Sequence, residues 1–430
     1  MSNADEPNPP APHKRRRPRM LGVASFRESL QLLSTRRFGT FWFASLLSSI
    51  GTWAQQVAEP WLLLTLGASS FVIGLDSFAM NAPVLLLTLV GGMLADRSDR
   101  RRVILLFQSI QMLCPVAIVV LLLAGRMEAW MILALSLVVG ITDALSMPSF
   151  QSIVPSIVAP EQIGRALALN STQFNLSRIL GPAIAGALMS SVGVIACFVV
   201  SAASYIPFVG VALWILPRRA ARGASPASEP RRPLFAGVRE VLQQRAVRGA
   251  LLNVLVSSVL CAPLITFVPV LVRDVFQGGA AHFSMAVAAF GVGGLIGAAG
   301  LLGVAPGIDQ RRLASGFAIG FAVVLVLISL SSWSLGLPPL LVLAGASMTI
   351  SNTAANSVLQ TSTHPRLLGQ AVSLYMLALR GGISLGALIT GASVTLFGVQ
   401  QALFINGLLA VVAQTLLAWL WVRGAAAHKD

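Results

Sequence analysis

Only 10% of the 430 residues are charged, against roughly a quarter in a soluble domain, while 56% are hydrophobic. So little charge excludes a water-soluble globule and points to an integral membrane protein. The three cysteines, Cys114, Cys197 and Cys261, each sit inside an apolar stretch, so neither a disulfide framework nor a metal-ligand spacing can be built from them, and they read as packing residues. The four histidines, His13, His282, His364 and His428, are scattered through tails and loops and offer no metal-dependent catalytic site. No Gly-rich loop ends in Gly-Lys, which excludes a P-loop ATPase within the chain. One Gly-x-Ser-x-Gly match, Gly382 to Gly386, lies inside an apolar run and reads as coincidence. Neither an enzyme nor a cofactor is expected. The opening MSNADEPNPPAPHKRRRPRM has no short apolar core and cleavage site behind it, so it is expected to be a disordered cytoplasmic tail rather than a secretory signal.

Long apolar runs are what the chain has in abundance. A spanning helix needs about 20 apolar residues, because the hydrocarbon core is about 30 Å thick and each residue rises about 1.5 Å. That ruler predicts twelve spans: 38–66, 71–94, 103–124, 130–154, 166–190, 194–216, 250–272, 283–303, 313–332, 337–360, 371–397 and 403–422. Runs of this length exclude barrel strands. With both termini placed in the cytoplasm, 26 of the 30 basic residues fall in cytoplasmic segments. This asymmetry supports an even number of spans. It also accounts for the net charge of +15 as a topology signal, so no nucleic-acid partner is expected.

The stretch Pro217 to Pro233, PRRAARGASPASEPRRP, reads as a cytoplasmic linker between two halves. The predicted organisation is a basic tail 1–37, a six-helix half 38–216, a linker 217–249, a second six-helix half 250–422 and a tail 423–430. A slide of 205 residues aligns the segment from Gly140 with that from Gly345 without a gap. Gly140/Gly345, Pro160/Pro365, Gly164/Gly369, Gly181/Gly386, Gly186/Gly391 and Gly193/Gly398 coincide. Parallel six-span repeats related by an axis along the membrane normal are the pattern of the major facilitator fold, whose substrate cavity lies between the halves. The predicted class is therefore an all-α membrane protein of twelve transmembrane helices in two pseudo-symmetric halves.

GGMLADRSDRRR, between spans two and three, makes the resemblance specific. Gly92, Leu94, Ala95, Asp96, Arg97, Arg100 and Arg101 resemble the loop 2–3 signature of the major facilitator superfamily, Gly-x-Leu-Ala-Asp-Arg-x-Gly-Arg-Arg. Asp99 stands where many members carry the second Gly, so the loop is expected to turn differently. IGTWAQQVAEPWLLLTLGASS, LSMPSFQSIVP and SRILGPAIAGAL extend the resemblance to the transmembrane secretion effector branch, which includes enterobactin exporters and macrolide efflux proteins. Gly181, Pro182 and Gly186 look like part of the Gly-Pro signature of antiporters in span five, without its upstream glycines. The resemblance implies a cytoplasmic latch in which Asp96 meets the start of span eleven and the arginines Arg97, Arg100 and Arg101 meet an acid near the inner end of span four, a role that Asp143 fits. The alternative is that Arg97 to Arg102 only set topology.

Charges inside spans are costly and mark function by default. Arg178 and Arg380 occupy similar depths in spans five and eleven, and either face one cavity, favouring an anionic substrate, or pair with Glu59, Asp76 or Asp143. Thr52, Gln55, Gln56 and Glu59 form a polar stripe in span one, and Asn352 and Asn356 form another in span ten. Gln55, Gln56, Arg178, Arg380, Asn352 and Asn356 are the expected cavity residues, with Glu59 first and Asp143 second for proton coupling. Asp76 is expected to be a hydrated interfacial residue. Trp53 and Trp61 either stack on a flat ligand or pack. The expected function is export of a small secondary metabolite, a siderophore first and a macrolide or other drug second, by proton antiport across the inner membrane from a monomer. A non-transporting scaffold or sensor is the alternative of another class.

Overall fold

The computed structural model describes residues 31–215, 236–303, 307–364 and 367–426. Apolar runs this long can satisfy their backbone groups in lipid only as helices. Twelve long helices occupy the described residues, with no strand among them. The first six are α1 (Phe38–Thr65), α2 (Ser70–Arg97), α3 (Arg100–Leu123), α4 (Ala129–Ile153), α5 (Ile163–Ser191) and α6 (Val194–Trp214). The second six are α7 (Arg245–Val275), α8 (Ala280–Leu302), α9 (Gln310–Leu330), α10 (Leu337–Ser362), α11 (368–397) and α12 (Val399–Ala426). A short helix, Ala236–Gln243, precedes α7. The expected tail up to residue 30, the linker Pro217 to Pro233 and the last four residues lie outside the described residues.

Ten of the helices are long and apolar enough to cross a membrane. The two that fall short on hydropathy, α1 and α5, have 28 and 29 residues, so length is not what they lack. They are the helices interrupted by Ser45, Ser48, Ser49, Thr52 and Gln56, and by Asn170, Ser171, Gln173 and Arg178, all of which line the internal cavity described below.

The two sets of six pack alike. In the first set α1 packs on α5 and α6, α2 on α4, and α3 on α4 and α6. In the second set α7 packs on α11 and α12, α8 on α10, and α9 on α10 and α12. Two seams that exchange under the same symmetry, α2 with α11 and α5 with α8, join the sets. The shared glycines sit at equivalent places. Gly193 and Gly398 take φ of 109° and 84° to turn the chain into α6 and α12, a region that side chains rarely adopt. A Cβ on Gly186 would lie 2.8 Å from the Ser284 carbonyl oxygen, and one on Gly391 would lie 2.9 Å from that of Ser70, so each glycine lets one of the two seams close.

The end of the bundle that carries the turn between α2 and α3 is called the basic end below, and the opposite one the far end. At the far end one apolar core runs through both halves, from Ala54, Leu63, Ile73 and Phe198 to Phe267, Phe283 and Phe321. Towards the basic end it forks. Phe38, Phe41, Ile104, Ala166 and Phe208 form a core of the first half alone. Val247, Leu251, Ala354, Val358 and Trp421 form one of the second half alone. Among the described residues the apolar cores of the two halves are therefore fused at the far end and separate at the basic end.

Candidate substrate cavity

In the fork lies a cavity of about 380 Å³, within the range of sites for small organic molecules. Each wall is built by helical repetition. On α1, Ser45, Ser48, Ser49, Thr52, Trp53 and Gln56 recur at steps of three and four, so they share one face. Gln173 of α5 ties that wall together, donating from Nε2 to the Ser45 carbonyl at 3.1 Å and to Ser49 Oγ at 3.0 Å. From the second half come Asn352 and Asn356 of α10 and Tyr375 and Arg380 of α11. Tyr375 donates its hydroxyl to the Asn352 carbonyl at 3.1 Å, joining these two helices.

Two cations face the cavity. Arg178 holds its guanidinium carbon 5.6 Å from the centre of the Trp53 ring, and Trp53 meets Phe174 edge-on at 6.1 Å. A guanidinium over a tryptophan face is held by the ring quadrupole while its donors stay available. Among the described residues no carboxylate pairs with Arg178. Arg380 sits in a π-helical turn, Leu377–Gly381, that interrupts α11. Its Nη1 lies 3.3 Å from Asp143 Oδ2 of α4 and 3.5 Å from Asn81 Oδ1 of α2, so this ion pair bridges the two halves.

Five of the six expected cavity residues, Gln56, Arg178, Arg380, Asn352 and Asn356, line this one space. Gln55 does not. Neighbouring residues on a helix point about 100° apart, and Gln55 turns into the first half, where it is 4% exposed. Its Nε2 donates to Glu59 Oε1 at 2.8 Å, and its Oε1 accepts from Ser201 Oγ of α6 at 2.8 Å. Glu59 is 1% exposed and also lies off the cavity wall. Asp76, expected at the hydrated interface, is instead buried, at 3% exposed. It lies on a face of α2 turned into the bundle, which depth along the helix alone could not reveal.

Among the described residues, Asp143 meets neither Arg100 nor Arg101; its partner is Arg380. Arg100 and Arg101 serve helix ends of their own half. Arg100 donates to the Ser152 carbonyl of α4 at 3.2 Å. Arg101, 9% exposed, donates to the Ala212 carbonyl of α6 at 2.7 Å and also to that of Leu213. Cations suit these C-termini, where carbonyls are left without helical partners. The side chains of Asp96 and Arg97 lie outside the described residues. Gly92 has open space where a Cβ would stand, whereas Gly91 abuts α4 at Ala144 and Leu145. Gly181 abuts α1 at Trp53 and Ile50, next to Pro182, which α5 carries inside its length. Asp99, the departure from the family signature, caps α3 by accepting from Arg101 N at 3.0 Å. Asp309 caps α9 in the same way from Arg311 N at 3.0 Å. The pairs Asp99/Asp309, Arg101/Arg311 and Arg102/Arg312 are a second trace of the repeat. Comparing Asp-Arg-Arg-Arg with Asp-Gln-Arg-Arg at the two span starts would have found it.

Comparison with known proteins agrees with this architecture. Residues 28–429 match the model of the family described as transmembrane secretion effector. The chain is 25% identical over 383 residues to a staphyloferrin A transporter of Staphylococcus aureus, covering 86% of this chain and 92% of that protein. It is 27% identical over 379 residues to the enterobactin exporter EntS of Shigella boydii, covering 84% and 86%. Among solved structures, the nucleoside transporter NupG superposes with a TM-score of 0.70 at 11% identity, over 89% of this chain and 98% of that one. A bacterial homologue of the human lysosomal transporter Spinster, in an inward-facing and occupied conformation, gives 0.68 at 17% identity over 94% and 98%. A family match spanning nearly the whole chain, twelve long helices in two like halves and a polar cavity between them lead to one conclusion: the chain is a multi-pass membrane transporter of a small molecule, not an enzyme, and belongs to the transmembrane secretion effector family of the major facilitator superfamily.

Proposed function

We propose that the protein exports a small anionic metabolite, a siderophore first, in exchange for protons and by alternating access. The observation that carries this reading is the cavity's charge: Arg178 and Arg380 face it against one carboxylate, Asp143, leaving an excess positive charge beside an aromatic wall. Cationic drugs are poorly served by such a site, and carboxylates or catecholates are well served. The siderophore transporters among the relatives support the same substrate class. The basic end is assigned to the cytoplasm of the inner membrane, together with both termini, by the Lys and Arg bias. On that assignment the forked core is the inward-open state, loading substrate from the cytoplasm.

Glu59 is the proposed proton carrier and Asp143 the second candidate. Glu59 is buried away from the cavity with Gln55 and Ser201, so a proton on it need not touch the substrate directly. The loop around Asp96 and Arg97 is assigned to the latch that closes the cytoplasmic end in the opposite state.

The test is mass spectrometry of small molecules in cells and medium, with and without the protein, under iron limitation. Retention of a metabolite in deleted cells and its return to the medium with the intact chain, but not with Glu59→Gln, is the expected result. Equal metabolite profiles would move the reading to drug efflux or to a non-transport role, and full export by Glu59→Gln would remove that residue from the coupling.

A further inference from the structure

We propose that Arg380 is exchanged between two partners: Asp143 holds it in the empty carrier, and an anionic group of the substrate takes it from Asp143 on binding. The inference rests on the anionic-substrate reading above and names how the site is built to choose.

Three observations carry it. The pair is reachable, because both side chains line the cavity, with Asp143 37% and Arg380 19% exposed. An ion pair in contact with water adds little net stability, so a ligand anion can replace one partner without first overcoming a strong bond. Asp143, once released, still faces cavity water and is not stranded as a buried lone charge.

The second observation is the asymmetry between the two cations. Arg178, of the first half, has Trp53 for support and no carboxylate among the described residues. It is available to the ligand from the start. Arg380, of the second half, lines the same cavity but is held by Asp143. A ligand with two anionic groups can therefore dock on Arg178 and finish on Arg380.

The third is what the exchange does to the halves. Before binding, Asp143 of α4 links directly to Arg380 of α11. Afterwards the link runs from Arg178 through the ligand to Arg380, still joining the halves but through a body that moves with them. Neutral molecules and simple cations cannot displace Asp143, so the pair also acts as a filter against them. The predicted substrate class is a small molecule with at least two carboxylate or phenolate groups.

The test uses the purified full chain in nanodiscs, with citrate as the probe and calorimetry as the readout. Removing the competing carboxylate by Asp143→Asn should tighten citrate binding by about tenfold or more. Arg178→Gln and Arg380→Gln should each weaken it by a similar factor. The double variant Asp143→Asn with Arg380→Gln should bind like Arg380→Gln alone, because the competitor acts only through that arginine. Asp143→Ala serves as a second removal of the carboxylate, and Asp143→Glu should restore the weaker wild-type affinity. If wild type binds citrate through Arg178 but neither Asp143→Asn nor Asp143→Ala binds it more tightly, the exchange is wrong and the anionic reading stands. If citrate binds to none of the variants, the anionic reading fails and the exchange fails with it.

Discussion

Gln55 and Gln56 are adjacent, chemically identical and assigned by sequence to the same wall, yet they have different neighbours. Gln55 bridges Glu59 and Ser201 inside the first half, while Gln56 faces the cavity. Replacing Gln55 with Ala leaves the buried Glu59 carboxylate and the Ser201 hydroxyl without their partner, at a cost of about 1 to 3 kcal/mol. Gln56→Ala removes a group that water can replace and should leave stability within about 0.5 kcal/mol. Unfolding of the two variants in the same detergent checks the contrast, and equal stabilities would mean that the buried network does not hold α1 to α6. The sequence shows which side chains are polar within a span, but not which side of the helix faces the cavity when several faces carry polar groups. The same limit explains Asp143 and Arg380. Their pairing was one of several alternatives the sequence left open, because which acid meets which arginine depends on how the two halves dock, and no spacing along the chain records that.

At the scale of elements the sequence was far more informative. Hydropathy placed twelve helices within a few residues of their ends, and the repeated glycines marked turns and close contacts that recur in both halves. The π-helical turns Ser257–Cys261, Leu271–Val275 and Leu377–Gly381 were not legible, because they preserve helical dihedrals and contain no residue that demands them. The α2–α3 turn shows a different gap. The resemblance paired its arginines with an acid near the inner end of span four, whereas Arg101 is bonded to the last carbonyls of α6. Losing charge-assisted bonds of this kind costs about 1.5 to 3 kcal/mol. Arg101→Gln should therefore lower the stability of the purified protein by that order, read from its denaturation midpoint. A stability equal to wild type combined with lost transport would instead favour the latch as its main role.

On the proposed alternating-access reading, with the far end facing outward, that end must open as a unit, and the packing there shows which contacts would hold it shut. The single apolar core, the two glycine seams and the stacking of Trp61 on Phe283 at 5.1 Å all lie on that side. Arg273 of α7 adds a polar tie by donating from Nη1 to the Leu64 carbonyl near the end of α1, at 3.2 Å. None of these contacts involves the cavity walls, so the closure can be weakened without touching the proposed substrate site. A leucine at Gly186 or Gly391 would press a side chain into the carbonyl of Ser284 or Ser70 and wedge one seam apart. Cores of this kind have discrete packed and unpacked arrangements, so a wedge should shift the population towards a far-end-open state rather than bend the bundle slightly. A cysteine at Asn356, which lines the cavity, reports that shift when an impermeant maleimide is added outside intact cells, and the three native cysteines are buried. Gly186→Leu and Gly391→Leu should each raise its labelling rate by about tenfold, equivalent to about 1.4 kcal/mol in the conformational equilibrium. Arg273→Ala should raise the rate by a similar or smaller factor, since it removes one charge-assisted bond. A well-folded wedge variant that labels no faster would show that the seams do not keep the far end closed, and the barrier would have to be sought in the shared apolar core.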